Sequence, residues 1–99
     1  MNYSFVIRPA VKTDISEAVE YYKNISPDLA RQFILRIREA KDYVARSPLG
    51  FQLKYNQVRT LLLKQFPYHI HFIIDDSKMQ IIILAVIHAY RNPIDYSKR

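Results

Sequence analysis

The sequence predicts a two-layer α+β domain of order β-α-α-β-β-β, a helical hairpin packed on one face of an antiparallel sheet. Three observations predict it. Residues 58–93 carry three runs crowded with β-branched and aromatic side chains, which suit a pleated, packed surface. Two upstream segments repeat apolar residues at helical spacing. Only a few residues join those segments, which makes them antiparallel neighbours whose stripes must be buried together against the sheet.

In chain order, Tyr3, Phe5 and Ile7 alternate with Ser4, Val6 and Arg8, so residues 3–8 read as a short strand. Pro9 fits the first turn of a helix, where its missing N–H is no loss, and Thr13 is a rival cap one turn later. Val11, Ile15, Ala18, Tyr22 and Ile25 form the stripe of the first helix. Asp14 falls beside that stripe and reads as structural, pairing with an arginine or capping the chain, with a catalytic role as the alternative.

Ser26-Pro27-Asp28 closes the first helix and opens the second: serine can cap, proline can take the first position, and the aspartate faces the positive end of the dipole. Leu29, Phe33, Ile37, Ala40 and Val44 form the second stripe, running to about Arg46, and Ser47-Pro48-Leu49-Gly50 stops it. Residues 51–57 read as loop or a ragged strand start. Strands follow at 59–63, 68–74 and 81–88. Phe66-Pro67 breaks the run between the first two, because proline offers no ladder donor. The Asp75-Asp76-Ser77-Lys78 cluster makes a turn that pairs the last two as an antiparallel hairpin. The run QIIILAVIH barely alternates, which implies burial on both faces and an interior place in the sheet. Residues 94–99 read as a short mobile tail.

With 99 residues, 49% of them hydrophobic and 24% charged, the chain reads as one folded domain over 1–99. A single glycine argues against a glycine-rich phosphate loop. The absence of cysteine excludes disulfides and thiolate metal sites and is compatible with a cytoplasmic setting. No apolar run approaches the ~18 residues of a membrane span, and no signal pattern opens the chain. Fifteen Lys and Arg against nine Asp and Glu give a net charge of +6, which favours an acidic partner. One sheet face is covered by the helices, so the other is expected to be an open, basic, aromatic-flecked concavity able to hold an RNA strand or a peptide.

The residues carry a family resemblance over nearly the whole chain. Asp14-Ile15 with Ala18 and Tyr21-Tyr22; Ala30, Phe33 and Ile37; Pro48 and Gly50; Val58-Arg59; Phe66-Pro67-Tyr68, Ile70 and Phe72; and Ala85-Val86 with His88, Arg91 and Pro93 together resemble the RelE/ParE toxins of bacterial type II toxin–antitoxin systems. The resemblance implies the RelE/ParE toxin fold, a cytoplasmic toxin neutralised by a cognate antitoxin with an acidic wrapping tail, and contact with operator DNA only through the antitoxin complex. RelE-like members cut messenger RNA on the ribosome and need cations at the scissile phosphate with a proton donor for the leaving oxygen. ParE-like members inhibit DNA gyrase. The lysines of a RelE-like site are replaced here by Thr60-Leu61-Leu62, and its arginine by His69. The ending His88-Ala89-Tyr90-Arg91-Asn92-Pro93 is closer to the ParE side. A gyrase-inhibiting toxin is therefore the leading expectation, a ribosome-dependent endoribonuclease the second, and a non-toxic adaptor binding only its antitoxin or operator DNA the third.

Among site candidates, His69 and His71 fall on one face of their strand, opposite Tyr68, Ile70 and Phe72. If those three pack under the helices, both histidines sit on the open face, where imidazole suits acid–base work. No third ligand stands beside them, so neither a metal nor any other cofactor is expected. His88 ends the interior strand as a proton donor, a partner contact or a structural histidine, with Tyr90 beside it. Arg91 is the leading target-binding residue, since guanidinium grips phosphate or carboxylate with two prongs; its alternative is a salt bridge to Asp14 or Asp95. Arg59 and Lys64 either extend the basic surface or guard a strand edge.

Overall fold

The computed structural model describes residues 3–90, 96 and 97. Strand β1 (Ser4–Ile7) leads into helix α1 (Pro9–Ile25), helix α2 (Pro27–Arg46) and a 3-10 turn at Pro48–Gly50. Then come β2 (Leu53–Tyr55), β3 (Val58–Leu62), β4 (Tyr68–Asp75) and β5 (Gln80–His88). The α+β class and the helical hairpin on one sheet face are as the sequence predicts.

The sheet is mixed rather than wholly antiparallel. Its order is β1-β5-β4-β3-β2, and β1 runs parallel to β5, from Ser4 opposite Gln80 to Ile7 opposite Ile83. Parallel neighbours need a long crossover, and here everything between them in sequence serves as one. The unassigned stretch 51–57 supplies a fifth strand, β2, hairpinned to β3 through Asn56 and Gln57, both at positive φ (39° and 67°).

Helix α1 begins at Pro9 rather than at the rival Thr13. Only Ser26 separates the helices, and its extended backbone (φ −164°, ψ 130°) turns the chain. Its amide donates to the Tyr22 carbonyl and its own carbonyl accepts from Leu29 and Ala30, so the backbone caps both helices and the serine hydroxyl makes no capping bond. The second stripe is buried from Ala30 and Phe33 through Val44; on the first, Val11 and Ala18 are buried, whereas Ile25 is 59% exposed at the last turn. Phe33 lies at the centre of the helix–sheet layer, its ring 5.5 Å from Tyr22, 5.2 Å from Phe66 and 5.1 Å from Tyr68. The Phe66-Pro67 break thus does more than end a strand: it turns Phe66 into the core.

The non-alternating run in β5 has a cause in register. Phe72 pairs with Ile83 and His71 with Ala85, so Leu84 is an extra residue and β5 bulges there. Ile81, Ile83 and Val86 pack toward the helices, and Ile82, Leu84, Ala85 and Ile87 toward the reverse face. Beyond Ile83, β1 no longer runs alongside, and the Val86 amide donates instead to Asp14 Oδ2 at 3.0 Å. The carboxylate of α1 stands in for the strand that has left.

Candidate functional site

The reverse face of the sheet is where the sequence places an open concavity, and the structure corrects that expectation. Tyr68, Ile70 and Phe72 do pack under the helices, so His69 and His71 lie on the reverse side as expected. The face is not open around them. A second apolar cluster of Val58, Leu84, Ala85, Ile87 and Tyr96 covers it, with Tyr55 packed alongside. Position 96, expected to be part of a mobile tail, is only 3% exposed.

Two hydrogen bonds and one ring contact organise this cluster. Tyr55 comes off the tight β2–β3 hairpin with its Oη 3.0 Å from His71 Nδ1. The Tyr96 amide donates to the same Tyr55 Oη at 3.2 Å. The Tyr96 ring meets the His71 imidazole edge-on at 5.3 Å. An amide can only donate, so Tyr55 Oη accepts there. His71 is thus a buried structural histidine within a hydrogen-bonded network, 8% exposed, and not a solvent-facing acid or base.

His69 is half-buried, 6.3 Å from the His71 ring. Burial pushes its basicity below the ordinary value of 6.5, and the Lys54 ammonium lowers it further. His88 lies across from Tyr68 and therefore on the helix side, away from His69 and His71. Its exposed ring touches Tyr68 and Tyr90, each at 5.3 Å, and its Nδ1 accepts the Tyr90 amide at 3.2 Å. Tyr90 is 85% exposed. Arg59 is engaged elsewhere: it pairs with Phe72 on the helix side, and its guanidinium donates to the Phe51 carbonyl, fixing the chain before β2. Lys64 is exposed in the β3–β4 connection with its ammonium 5.7 Å from the Tyr43 ring of α2. Arg91 and Asp95 lie outside the described residues.

The candidates therefore divide. His69 and His71 share the reverse face, His88 and Tyr90 form a separate exposed pair at the end of β5, and Arg59 and Lys64 join neither. Sequence reading missed Tyr55, inside the unassigned stretch, and the structural part played by Tyr96; an aromatic residue in a polar tail is the one signal that marked the latter. Among the described residues, no group of three His, Cys, Asp or Glu is placed to hold a metal ion, and no helix is long and apolar enough to cross a membrane.

The same layered arrangement occurs in solved toxin–antitoxin structures. A chain of the chromosomal ParDE TA system from P. aeruginosa superposes with a TM-score of 0.75 at 20% identity, over 87% of this chain and 95% of that one. A chain of the toxin–antitoxin complex RelBE2 from Mycobacterium tuberculosis gives 0.59 at 16% identity, over 89% and 99%. Those identities establish a common fold. In sequence, the chain is 27% identical over 88 residues to toxin ParE2 of Mycobacterium tuberculosis, in both strain CDC 1551 / Oshkosh and strain H37Rv, covering 88% of this chain and 82% of the relative. The family model described as the ParE toxin of type II toxin–antitoxin system, parDE, matches residues 5–93. The chain belongs to this family of toxins.

Proposed function

We propose that the chain acts in the cytoplasm as a ParE-like toxin that inhibits DNA gyrase by binding rather than by cleaving RNA, and that a cognate, acidic-tailed antitoxin neutralises it and carries any contact with operator DNA. The observation that carries the reading is the filled reverse face. A nuclease of this fold needs cations and a proton donor open to a phosphodiester. Here His71 is buried against Tyr55 and Tyr96, Thr60 stands opposite it, and Arg59 points to the helix side. The charge of +6 supports a partner with acidic surface.

Expression from a tightly controlled promoter tests this. Stalled gyrase–DNA complexes and a DNA-damage response are the expected result; A-site cleavage of messages in a translation extract, with gyrase unaffected, would overturn it. Co-expression of the adjoining open reading frame is expected to restore growth. The nuclease reading retains one supporting observation, a half-buried His69 of depressed basicity near Lys54, which is the type of group that accepts a proton near neutral pH. The same extract assay decides it.

A further inference from the structure

The helical hairpin carries a band of cations along its outer seam. One flank of α1 faces the end of β5, where Asp14, Glu17 and Tyr21 line a cavity with Val86 and Ile87. One flank of α2 faces the β3–β4 connection, where Arg36 Nε donates to Gln65 Oε1 at 3.1 Å. The remaining flanks face each other across the hairpin. The turn at Ser26 and the Tyr22 ring stacked on Phe33 set the register between them. Residues three, four and seven apart share a helix face. That register therefore puts Lys23 across from Arg31 and Lys12 across from Lys41, with Arg38 between the two pairs. Five of the fifteen basic residues thus line one groove. Lys12, Lys23, Arg31 and Arg38 are exposed, and Lys41 is half-buried with its ammonium 5.0 Å from the Phe5 ring.

Like charges set opposite one another repel, and the groove holds little to offset this. Arg31 pairs with Asp28, while Lys12, Lys23 and Arg38 make no ion pair with any described residue. Glu20 and Asp42 stand outside the groove, on the crests of the two helices. The apolar content of the groove is one rung, a half-buried Val19 and an Ile34 at 36% exposure, which gives a protein partner little to bury. We propose that this groove binds the phosphate backbone of duplex DNA. From Lys12 to Lys23 it runs about 16 Å. A DNA duplex presents one phosphate per about 1.7 Å of axis, about ten over that length. An extended peptide offers at most one carboxylate per ~3.3 Å, about five over the same length. Charge density on this scale favours DNA over an acidic protein segment. Phosphate contacts carry no sequence information, so the choice of operator stays with the antitoxin. The groove stands on the arrangement of charge alone, whereas a part for it in holding the DNA of a gyrase complex rests on the toxin reading above.

Fluorescence anisotropy of a short labelled duplex, titrated with the full chain over a series of salt concentrations, tests this. Arg31 is held by Asp28, which leaves four cations to meet phosphates. The logarithm of the association constant should then fall against that of salt with a slope of about −3.6. Lys23→Gln combined with Arg38→Gln should weaken binding by about tenfold or more and bring the slope to about −1.8. Glu20→Gln, on a crest, should strengthen binding. A control pair, Arg46→Gln with Lys78→Gln, removes equal charge elsewhere and should leave the slope near the parent's. All the substituted side chains are exposed, so the variants are expected to unfold at the parent's temperature. Equal effects of the two pairs would overturn the groove, since binding would then follow net charge alone. A parent that ignores the duplex, whether or not it binds poly-glutamate, would overturn it too. In cells, the Lys23→Gln, Arg38→Gln pair should inhibit growth less than the parent. Undiminished inhibition by a pair that no longer binds DNA would overturn the part at gyrase. A parent that leaves gyrase untouched would overturn the toxin reading, and the titration would still decide the groove.

Discussion

Asp14 gives the most direct test of how the helices and sheet are tied together. Its Oδ2 accepts the Val86 amide at 3.0 Å at the point where β1 has ended and β5 runs on. Replacing it with alanine removes the carboxylate that accepts a strand amide in a partly buried place. A hydrogen bond to a charged acceptor contributes about 1.5–3 kcal/mol, so Asp14→Ala is expected to cost about 2 kcal/mol. In a domain of this size that lowers the melting temperature by about 8–16 °C. Asp14→Asn keeps an oxygen that can accept, and its cost should be about half as large. Denaturant unfolding measures the total, and amide exchange locates it. At about 1.4 kcal/mol per tenfold, the Val86 amide in Asp14→Ala should exchange about 30-fold faster, beyond any change at Ile81 and Ile83. Equal destabilisation by alanine and asparagine, or acceleration spread evenly over β5, would refute the idea that this carboxylate substitutes for a missing strand.

Other consequences follow from single features. Asn56 and Gln57 occupy a two-residue hairpin turn with both φ values positive, where Asn-Gly is preferred, so Gln57→Gly should raise stability by about 0.5 kcal/mol in thermal unfolding despite the freedom it adds to the unfolded chain. Phe33→Ala should cost about 3–5 kcal/mol by urea titration. Phe33→Leu restores most of the volume but leaves a deficit of about 1–2 kcal/mol, because the ring contacts to Tyr22, Phe66 and Tyr68 are gone. His69 has a folded-state basicity below its ordinary 6.5, so the unfolded chain binds the proton more readily; stability should fall as the pH drops below 6.5, and His69→Asn should flatten that slope. A proton NMR titration should place His69 below 6.5 and move it up, though not fully back, in Lys54→Gln, because burial is the larger cause.

The parts of the fold legible in the sequence were those specified locally. The two helical stripes, the stop at Pro48–Gly50 and the turn after Asp75 all sit within a few residues of the features that encode them. The parallel pairing of β1 with β5 joins distant segments and leaves no local mark. The short strand β2 was hidden because its turn uses Asn56-Gln57 rather than the Asn-Gly that announces such a hairpin. The bulge at Leu84 carries neither glycine nor proline, so the run read correctly as buried on both faces while the slip in register that contributes to its pattern stayed invisible. At the site, alternation put His69 and His71 on the reverse face. Whether that face was open depended on what folds back over it, and no periodicity in β4 could say so.

That difference bears on mechanism. Acid–base chemistry on a nucleic acid needs groups that are both tuned and reachable, and on the reverse face these properties are separated. His71 is held by Tyr55 and beneath Tyr96; His69, whose basicity is depressed, is half-buried; and the exposed His88 and Tyr90 stand at the strand's end on the helix side, away from both. A surface that recognises a partner has a weaker requirement, since charge and shape can act from side chains that never exchange a proton. The physical cost of closing the reverse face is lost access to its histidines.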